Sequence, residues 1–265
     1  MTESFPSLTI RAAGLNIGYK EETIVADINF ELSAGQSLAL IGTNGSGKST
    51  LLKTLVGLLP PLKGELTVLG SAPAQSSRQF AYLSQFHSSS FILPLCAVDV
   101  VRMGRYAEHG LTGKLTSFDD DLIADSMKRM GIGTLAEKPL RALSGGQQQR
   151  VYIAQALARH AKVLVLDEPA SGLDAGAREI YQQALRDEMA RGASVVVATH
   201  DIQEAMDCTQ TMLLAHRVIA IGRGEEVITP AALLETFGIT INLTQQKLGV
   251  TVIERDHCCD HPEEK

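Results

Sequence analysis

The sequence predicts an α/β fold around a parallel sheet, and two observations carry this prediction. Short apolar runs occur at residues 37–41, 163–166 and 194–199, as expected for parallel strands that are buried on both faces. Each run is followed by residues that can bind a ligand, namely a glycine-rich segment, two carboxylates and a histidine. Ligands bind at the carboxyl edge of such sheets, so the sequence also predicts a binding site there.

The glycine-rich segment fits the pattern G-x-x-x-x-G-K-[ST] at every position. Leucines at helical spacing follow it as far as Leu59, before Pro60, and predict a helix. Strand, loop and helix in this order aim backbone N–H groups and the positive end of a helix dipole at a polyphosphate. We expect Lys48 to reach the β- and γ-phosphates of ATP or GTP and the Ser49 hydroxyl to bind Mg²⁺. The loop residues are Gly42, Thr43, Asn44, Gly45, Ser46, Gly47, Lys48, Ser49 and Thr50.

The other segments before residue 150 predict an outer β layer and a helical insert. Residues 8–15 and 28–32 predict strands with one buried face, and residues 64–70 and 80–83 predict two more. Tyr19 lies between the first two, and alone would be read as an amphipathic residue at a strand end. Gln85 follows the last one and would emerge at the ligand edge if that strand joins the parallel sheet. From residue 86 the composition shifts, and a run of aspartates at 119–121 predicts a helix start.

Two further segments carry residues suited to phosphate chemistry. Leu143-Ser144-Gly145-Gly146-Gln147 opens a helix, and its adjacent glycines let phosphates approach backbone N–H groups closely. At the end of the second apolar run, Asp167 is placed to hold Mg²⁺ and Glu168 to orient or deprotonate an attacking water. The alternative is an acidic strand end that faces solvent. His200 ends the third run, where a lone histidine is usually structural but here falls beside the same phosphate.

Composition limits the classes of partner and the compartment. The chain has 265 residues and a formal charge of −6, without a run of Lys or Arg, so the electrostatic footprint of a nucleic-acid binder is missing. No apolar run reaches the length needed to span a bilayer, and the N-terminal residues lack a signal peptide pattern. Cys96 and Cys208 lie far apart and Cys258 and Cys259 are adjacent, so the four cysteines form no disulfide framework, which fits a reducing compartment. We expect a cytosolic chain that does not bind nucleic acid.

These motifs, in this order, resemble the full set of an ATP-binding cassette (ABC) transporter ATPase, and the Leu-Ser-Gly-Gly-Gln pentapeptide is the decisive one. The resemblance covers about residues 8–240 and implies a P-loop NTPase core with a RecA-like parallel sheet, an antiparallel β edge and an inserted helical subdomain. It divides the cassette into a core of about 8–85 and 150–237 and an insert of about 86–149. The motif residues are Tyr19, the loop from Gly42 to Thr50, Gln85, Ser144 to Gln147, Asp167, Glu168, Asp174 and His200.

The resemblance also implies cofactors and partners. Two cassettes would face each other head to tail as a homodimer, with each ATP and its Mg²⁺ between the loop of one chain and Ser144, Gly145, Gly146 and Gln147 of the other. Tyr19 would stack on the base, and Gln85 would sense the γ-phosphate and Mg²⁺. The segment after Gln85 would contact integral membrane permease subunits, and an extracytoplasmic solute-binding protein would deliver the substrate. The chain would then lie peripherally on the cytoplasmic face of the cell membrane.

A short element indicates the subfamily. Residues 99–106, followed by Gly110-Leu111, resemble cassettes of zinc, manganese and iron importers, which predicts a metal-ion importer. Siderophore and cobalamin importers carry a related Gly-Arg element and form the alternative. The sequence departs from the family pattern at Gly172, where alanine is more usual, and at Gln148-Gln149, where a basic residue is common.

Non-transport ABC ATPases fit less well, and the chain end is less informative. A DNA-repair ATPase would need a long heptad coiled coil, and a ribosome-binding one would be expected to carry two cassettes and a basic linker.

Residues 212–215 and 218–221 predict strands and a helix begins near Pro230, whereas residues 241–265 predict an arm and a polar tail. The tail segment His257-Cys258-Cys259-Asp260-His261 has soft-metal ligand types, but adjacent cysteines are poorly spaced for a closed zinc site. A polar tail without a metal site is the alternative.

Overall fold

The computed structural model describes residues 7–85, 95–109, 113–238, 241–243 and 250–252. Its strands are β1 (Leu8–Tyr19), β2 (Glu22–Ser33), β3 (Ser37–Gly42), β4 (Lys63–Val68), β5 (Phe80–Leu83), β6 (Val163–Asp167), β7 (Ser194–Ala198), β8 (Gln210–Leu214), β9 (Val218–Gly222), β10 (Ile241–Leu243) and β11 (Val250–Val252). Its α-helices are α1 (Lys48–Leu55), α2 (Ala97–His109), α3 (Ser117–Arg129), α4 (Gly145–Ala158), α5 (Ala175–Ala190), α6 (Ile202–Met206), α7 (Gly224–Val227) and α8 (Pro230–Phe237). Short 3₁₀ helices lie at Pro73–Gln79, Gly133–Leu135 and Leu140–Ala142.

The central sheet has the strand order β5-β6-β7-β3-β8-β9, and all neighbours are parallel except β8 and β9. Every residue of β3, β6 and β7 is buried, which explains why these strands are apolar on both faces. Successive residues point to opposite sides, so Leu38 and Leu40 join one apolar cluster while Ala39 and Ile41 join the other. The predicted α/β fold with a parallel sheet is confirmed.

Antiparallel strands form a separate layer on one side of this sheet. The order is β2-β1-β4, and Ala12 pairs with Phe30 on one side and with Leu66 on the other. The buried residues of this layer pack with α1 and one face of the central sheet. The predicted antiparallel edge therefore has two parts, this three-stranded layer and β9 at the edge of the central sheet.

Helix α1 ends at Leu55, earlier than the spacing of the leucines predicts. Gly57 has a φ of 77°, its N–H donates to the Thr54 carbonyl, and the Leu58 N–H donates to the Lys53 carbonyl. These two bonds form a Schellman motif, in which a left-handed residue closes the helix. A Cβ on Gly57 would come within 2.7 Å of the Ala74 amide nitrogen, so glycine is required at this position.

The helical part between β5 and β6 is held together by a close crossing and a buried ion pair. A Cβ on Gly104 of α2 would lie 2.3 Å from the Gln155 carbonyl of α4, so the two helices approach through glycine. The next residue, Arg105, is buried, and its Nε donates to Asp119 at 2.7 Å. Asp119 also completes a capping box with Thr116, which confirms that the aspartate run begins a helix. Residues 99–106 of the predicted subfamily element therefore lie where α2, α3 and α4 meet, whereas Gly110-Leu111 lies outside the described residues.

Within the described residues, no helix is both long and apolar enough to cross a bilayer. The tail segment from His257 to His261 lies outside them.

Candidate nucleotide site

The glycine-rich loop joins the buried end of β3 to the first turn of α1. Gly47 has a φ of 108°, and a Cβ there would come within 2.5 Å of a methyl group of Val25. The Lys48 ammonium donates to the Gly42 carbonyl at 2.7 Å and to the Thr43 carbonyl at 2.9 Å. Burial lowers the pKa of Lys48, and the charges of Glu168 and Asp167 oppose this shift. The Lys48 ammonium is thus held by two backbone carbonyls of its own loop.

A cavity of about 490 Å³ opens over this loop. Besides the loop, three predicted motif residues line it: Tyr19 at the end of β1, Gln85 after β5 and Glu168 after β6. Tyr19 keeps 43% of its surface exposed, so its ring is free to contact a ligand. Sequence reasoning missed Ile24, because an isolated isoleucine at a strand start carries no signal. The lining residues are Tyr19, Ile24, Asn44, Gly45, Gly47, Lys48, Ser49, Thr50, Gln85 and Glu168.

Ser49 and Asp167 meet at the inner end of the site. Burial raises the pKa of Asp167, and a hydrogen bond with the Ser49 side chain partly offsets this shift. A hydroxyl and a carboxylate are oxygen ligands of the kind that Mg²⁺ takes, and Mg²⁺ usually needs only one or two carboxylates in a phosphate site. These residues therefore fit a magnesium ion.

Glu168, Gln85 and His200 come together at the carboxyl edge of the sheet. The Gln85 Nε2 donates to Glu168 Oε2 at 2.9 Å, and His200 Nδ1 lies 4.0 Å from the same oxygen. Glu168 has a φ of 49°, and its N–H donates to the Ala198 carbonyl of β7. A left-handed backbone at a residue other than glycine costs free energy and marks functional sites. A carboxylate held in this way can accept a proton from a water.

The residues of the pentapeptide do not line this cavity. Ser144 is exposed and caps α4, where its Oγ accepts from the Gln147 N–H and the Gln147 side chain accepts from the Ser144 N–H. Asp174 caps α5 in the same way by accepting from the Ala177 N–H at 2.8 Å. The structure thus places Ser144 and Asp174 at two helix starts, away from the loop of their own chain.

Gln148 and Gln149, which depart from the family pattern, have structural partners. The Gln148 side chain donates to the carbonyls of Leu140 and Leu143, and Gln149 donates to the Pro169 carbonyl at 2.8 Å. The bond from Gln149 connects α4 to Pro169, the residue directly after Glu168. Sequence reasoning missed this role because the only signal was a glutamine pair at a helix start.

Fold and site together define a class of protein: a phosphate-loop nucleoside triphosphatase with helices inserted between β5 and β6. The family model described as "ABC transporter" matches residues 25–171, and this chain belongs to that family of transporter ATP-hydrolysing subunits.

Relatives and solved structures agree with this assignment. The chain is 33% identical to the manganese transport system ATP-binding protein MntB of Bacillus subtilis, over 88% of this chain and 94% of that protein. It is 31% identical to the zinc transport system ATP-binding protein TroB of Treponema pallidum, over 91% of this chain and 91% of that protein. A solved inward-facing ABC transporter assigned to the metal-chelate type aligns with a TM-score of 0.81 and 27% identity, over 93% of this chain and 98% of that one.

Proposed function

We propose that this chain hydrolyses ATP in the cavity beside Lys48 and thereby energises the import of a metal ion. The observation that carries the proposal is the meeting of Glu168 with Gln85 and His200 next to the phosphate loop. Lys48 binds the β- and γ-phosphates, and Glu168 accepts the proton of the attacking water. When bound, Mg²⁺ neutralises charge on the phosphate oxygens, and the ligands available for it are oxygens of Ser49, Asp167 and Gln85.

Roles on ATP follow for the residues around this group. Tyr19 stacks on the base, and loop residues Gly42, Thr43, Asn44, Gly45, Ser46, Gly47 and Thr50 surround the phosphates. His200 contacts the γ-phosphate, and Gln85 exchanges its bond to Glu168 for contacts to the nucleotide. That exchange makes the carboxylate available only when the site is loaded.

Two variants test these roles. Glu168→Gln keeps the size of the side chain but removes the base, so hydrolysis should fall by about 10²- to 10⁴-fold while ATP affinity is retained. Lys48→Ala should weaken ATP binding itself, because it removes a contact already made in the bound state. Calorimetric titration with ATP and a phosphate-release assay measure the two effects. Glu179→Gln is the matched control because Glu179 is an exposed carboxylate on α5, and equal hydrolysis by both glutamine variants would contradict the assignment.

The second half of each site comes from another copy of the chain. Ser144, Gly145, Gly146, Gln147 and Asp174 do not line the cavity of their own chain, which supports a head-to-tail homodimer. Mixing inactive Lys48→Ala and Ser144→Arg chains should restore one complete site per heterodimer. If the ATPase activity of the mixture never exceeds that of either variant alone, this arrangement is contradicted, provided that one site of the dimer can hydrolyse ATP without the other.

A groove next to Gln85 is proposed as the docking surface for the membrane permease. It is a cavity of about 450 Å³ between β5, α2 and α4, and it reaches Ser84, the residue before Gln85. Met103 and Leu58 line it and remain 37% and 63% exposed, so the groove offers two accessible apolar side chains to a partner. Met103→Glu should abolish co-purification with the permease. Phe118→Glu, at another exposed apolar residue of the insert, should not.

The transported species is proposed to be manganese or zinc, because MntB and TroB, two relatives that align with most of the chain, are named for these metals. The alternative, a siderophore or cobalamin, draws on the metal-chelate type neighbour. We place the chain peripherally on the cytoplasmic face, with the permease and an extracytoplasmic solute-binding protein. Uptake of radioactive Mn²⁺ and Zn²⁺ by cells carrying Glu168→Gln should fall, whereas cobalamin uptake should not; the reverse would favour the alternative.

A further inference from the structure

The segment that follows His200 is held by helix α5 at two points. Before α6 begins, Asp201 forms an ion pair with Arg178 of α5. One turn later, Glu204 accepts a hydrogen bond from the Tyr181 hydroxyl at 2.8 Å. Arg178 and Tyr181 are three residues apart, so they lie on the same face of α5.

The second contact is deeply buried. Tyr181 is fully buried and Glu204 is 6% exposed, although both carry polar groups. Burial raises the pKa of Glu204, while the hydrogen bond from Tyr181 opposes the shift. A buried carboxylate that loses its partner strongly destabilises a fold. An apolar pair would pack at this position without that cost, so packing alone does not explain these residues.

Further hydrogen bonds fix the backbone on either side of His200. The Thr199 N–H donates to the Leu40 carbonyl of β3, and the Thr199 hydroxyl accepts from the Asp201 N–H at 3.0 Å. Asp201 in turn accepts from the Gln203 and Glu204 N–H groups. Thr199 is therefore tied to Asp201, and the backbone that follows His200 is tied to α5 through Asp201 and Glu204.

Helix α5 is itself anchored at both ends. Asp174 caps its first turn. Near its last turn, buried Glu188 accepts from Arg129 of α3 at 2.7 Å, and Arg129 also donates to the Ala184 carbonyl. The helix therefore provides a fixed support for the turn that carries His200.

His200 has little support of its own. Its side chain is 68% exposed, and its Nδ1 lies 4.0 Å from Glu168 Oε2. The position of the ring beside Glu168 is therefore set mainly by the backbone of the turn.

We propose that Tyr181 and Arg178 are positioning residues for His200: through Glu204 and Asp201 they hold the turn so that the imidazole faces the γ-phosphate of bound ATP. The inference rests on the proposed role of His200 in ATP hydrolysis.

The test uses Tyr181→Phe, which removes the hydroxyl and keeps the ring, and Arg178→Met, which removes the charge near the surface. Each should lower kcat for ATP by about 10- to 100-fold, since misplacement of a reacting group by about 1 Å costs about 10²-fold. KM and the calorimetric affinity for ATP should change by less than about twofold, because Lys48 and the loop are untouched. Arg178→Lys should recover part of the loss. Arg186→Met is the matched control, since Arg186 on α5 donates to Gln183 within its own helix.

A second readout needs no nucleotide. Hydrogen exchange of the peptide that contains residues 199–204 should be faster in Tyr181→Phe and Arg178→Met than in the wild type, because the bonded amides of Asp201, Gln203 and Glu204 lose their support. Peptides of α1 and β3 should exchange at wild-type rates. Faster exchange throughout the chain would mean general destabilisation and would overturn a positioning role.

The decisive comparison is made in the His200→Ala background. A residue that acts through His200 should have no further effect there, so adding Tyr181→Phe should leave the single-turnover hydrolysis rate within about twofold. An additional drop as large as in the wild type would overturn the inference. If Tyr181→Phe does not fold, Arg178→Met carries the same comparison. Wild-type activity in Glu168→Gln would instead contradict the proposed function, and wild-type activity in Tyr181→Phe beside an inactive Glu168→Gln would contradict this inference alone.

Discussion

The buried ion pair between Arg105 and Asp119 allows the loss of unfolding free energy to be predicted for a substitution at Arg105, which belongs to the element that resembles metal-ion importers. Arg105 donates to Asp119 at 2.7 Å and to the carbonyls of Ala158 and Arg159 at 3.2 and 2.9 Å. Both charged side chains are buried, at 8% and 1% exposure. Arg105 therefore joins α2, α3 and the last turn of α4.

The substitution Arg105→Met removes the charge but fills most of the space. It leaves the Asp119 carboxylate buried without its cation, and removing one partner of a buried pair costs about 3–5 kcal/mol. Asp119 keeps two hydrogen bonds from Thr116 and has His109 Nε2 at 3.0 Å from its second oxygen. We therefore expect the lower end, about 3 kcal/mol of unfolding free energy.

Urea unfolding followed by circular dichroism measures this loss. Arg102→Met on the same helix is the matched control, because Arg102 pairs with Asp99 at 3.5 Å with both side chains about 40% exposed. Such surface pairs contribute about 0–1 kcal/mol. Adding Asp119→Asn to Arg105→Met should cost less than the sum of the single changes, since the two residues share one interaction. Equal destabilisation by Arg102→Met and Arg105→Met would refute the reasoning.

Two further predictions concern packing and a partly buried thiol. Gly104→Ala should destabilise the chain by about 1–3 kcal/mol in the same urea assay, because its Cβ would lie 2.3 Å from the Gln155 carbonyl; an unchanged midpoint would contradict the close helix crossing. Burial raises the pKa of Cys208 to about 12 from 9.0, so iodoacetamide at pH 8 should modify its peptide far more slowly in the native chain than in urea, as mass spectrometry would show. Because the folded pKa is the higher one, this thiol stabilises the fold fully below pH 9, and the contribution is lost as pH rises from 9 towards 12; Cys208→Ala should remove that part of the pH dependence.

Elements with a local signal could be predicted from the sequence. The sequence predicts a strand at residues 80–83, where β5 lies, because an apolar run bounded by polar residues indicates a strand without knowledge of distant contacts. The helix after the phosphate loop was predicted too long, since leucine spacing does not show that Gly57 turns left-handed. The boundaries proposed for core and insert, and the roles of the site residues, remain predictions.

Contacts between distant residues could not be predicted in this way. Tyr181 and Glu204 are 23 positions apart, and Arg105 and Asp119 are 14 apart. Each looks like an ordinary helix residue until the fold brings its partner within hydrogen-bonding distance. Gln149 gave a partial signal, because a glutamine at that position departs from the family pattern, but its bond to the Pro169 carbonyl depends on where α4 meets β6.

We propose that ATP binds between two copies of this chain and that Glu168 accepts the proton of the attacking water. Gel filtration with light scattering on Glu168→Gln, with ATP and Mg²⁺, tests both parts of this proposal. The variant should elute as a dimer with ATP and as a monomer with ADP, because ATP that is bound but not hydrolysed keeps both halves of the site together. A Glu168→Gln chain that stays monomeric with ATP and hydrolyses it at the wild-type rate would contradict the account.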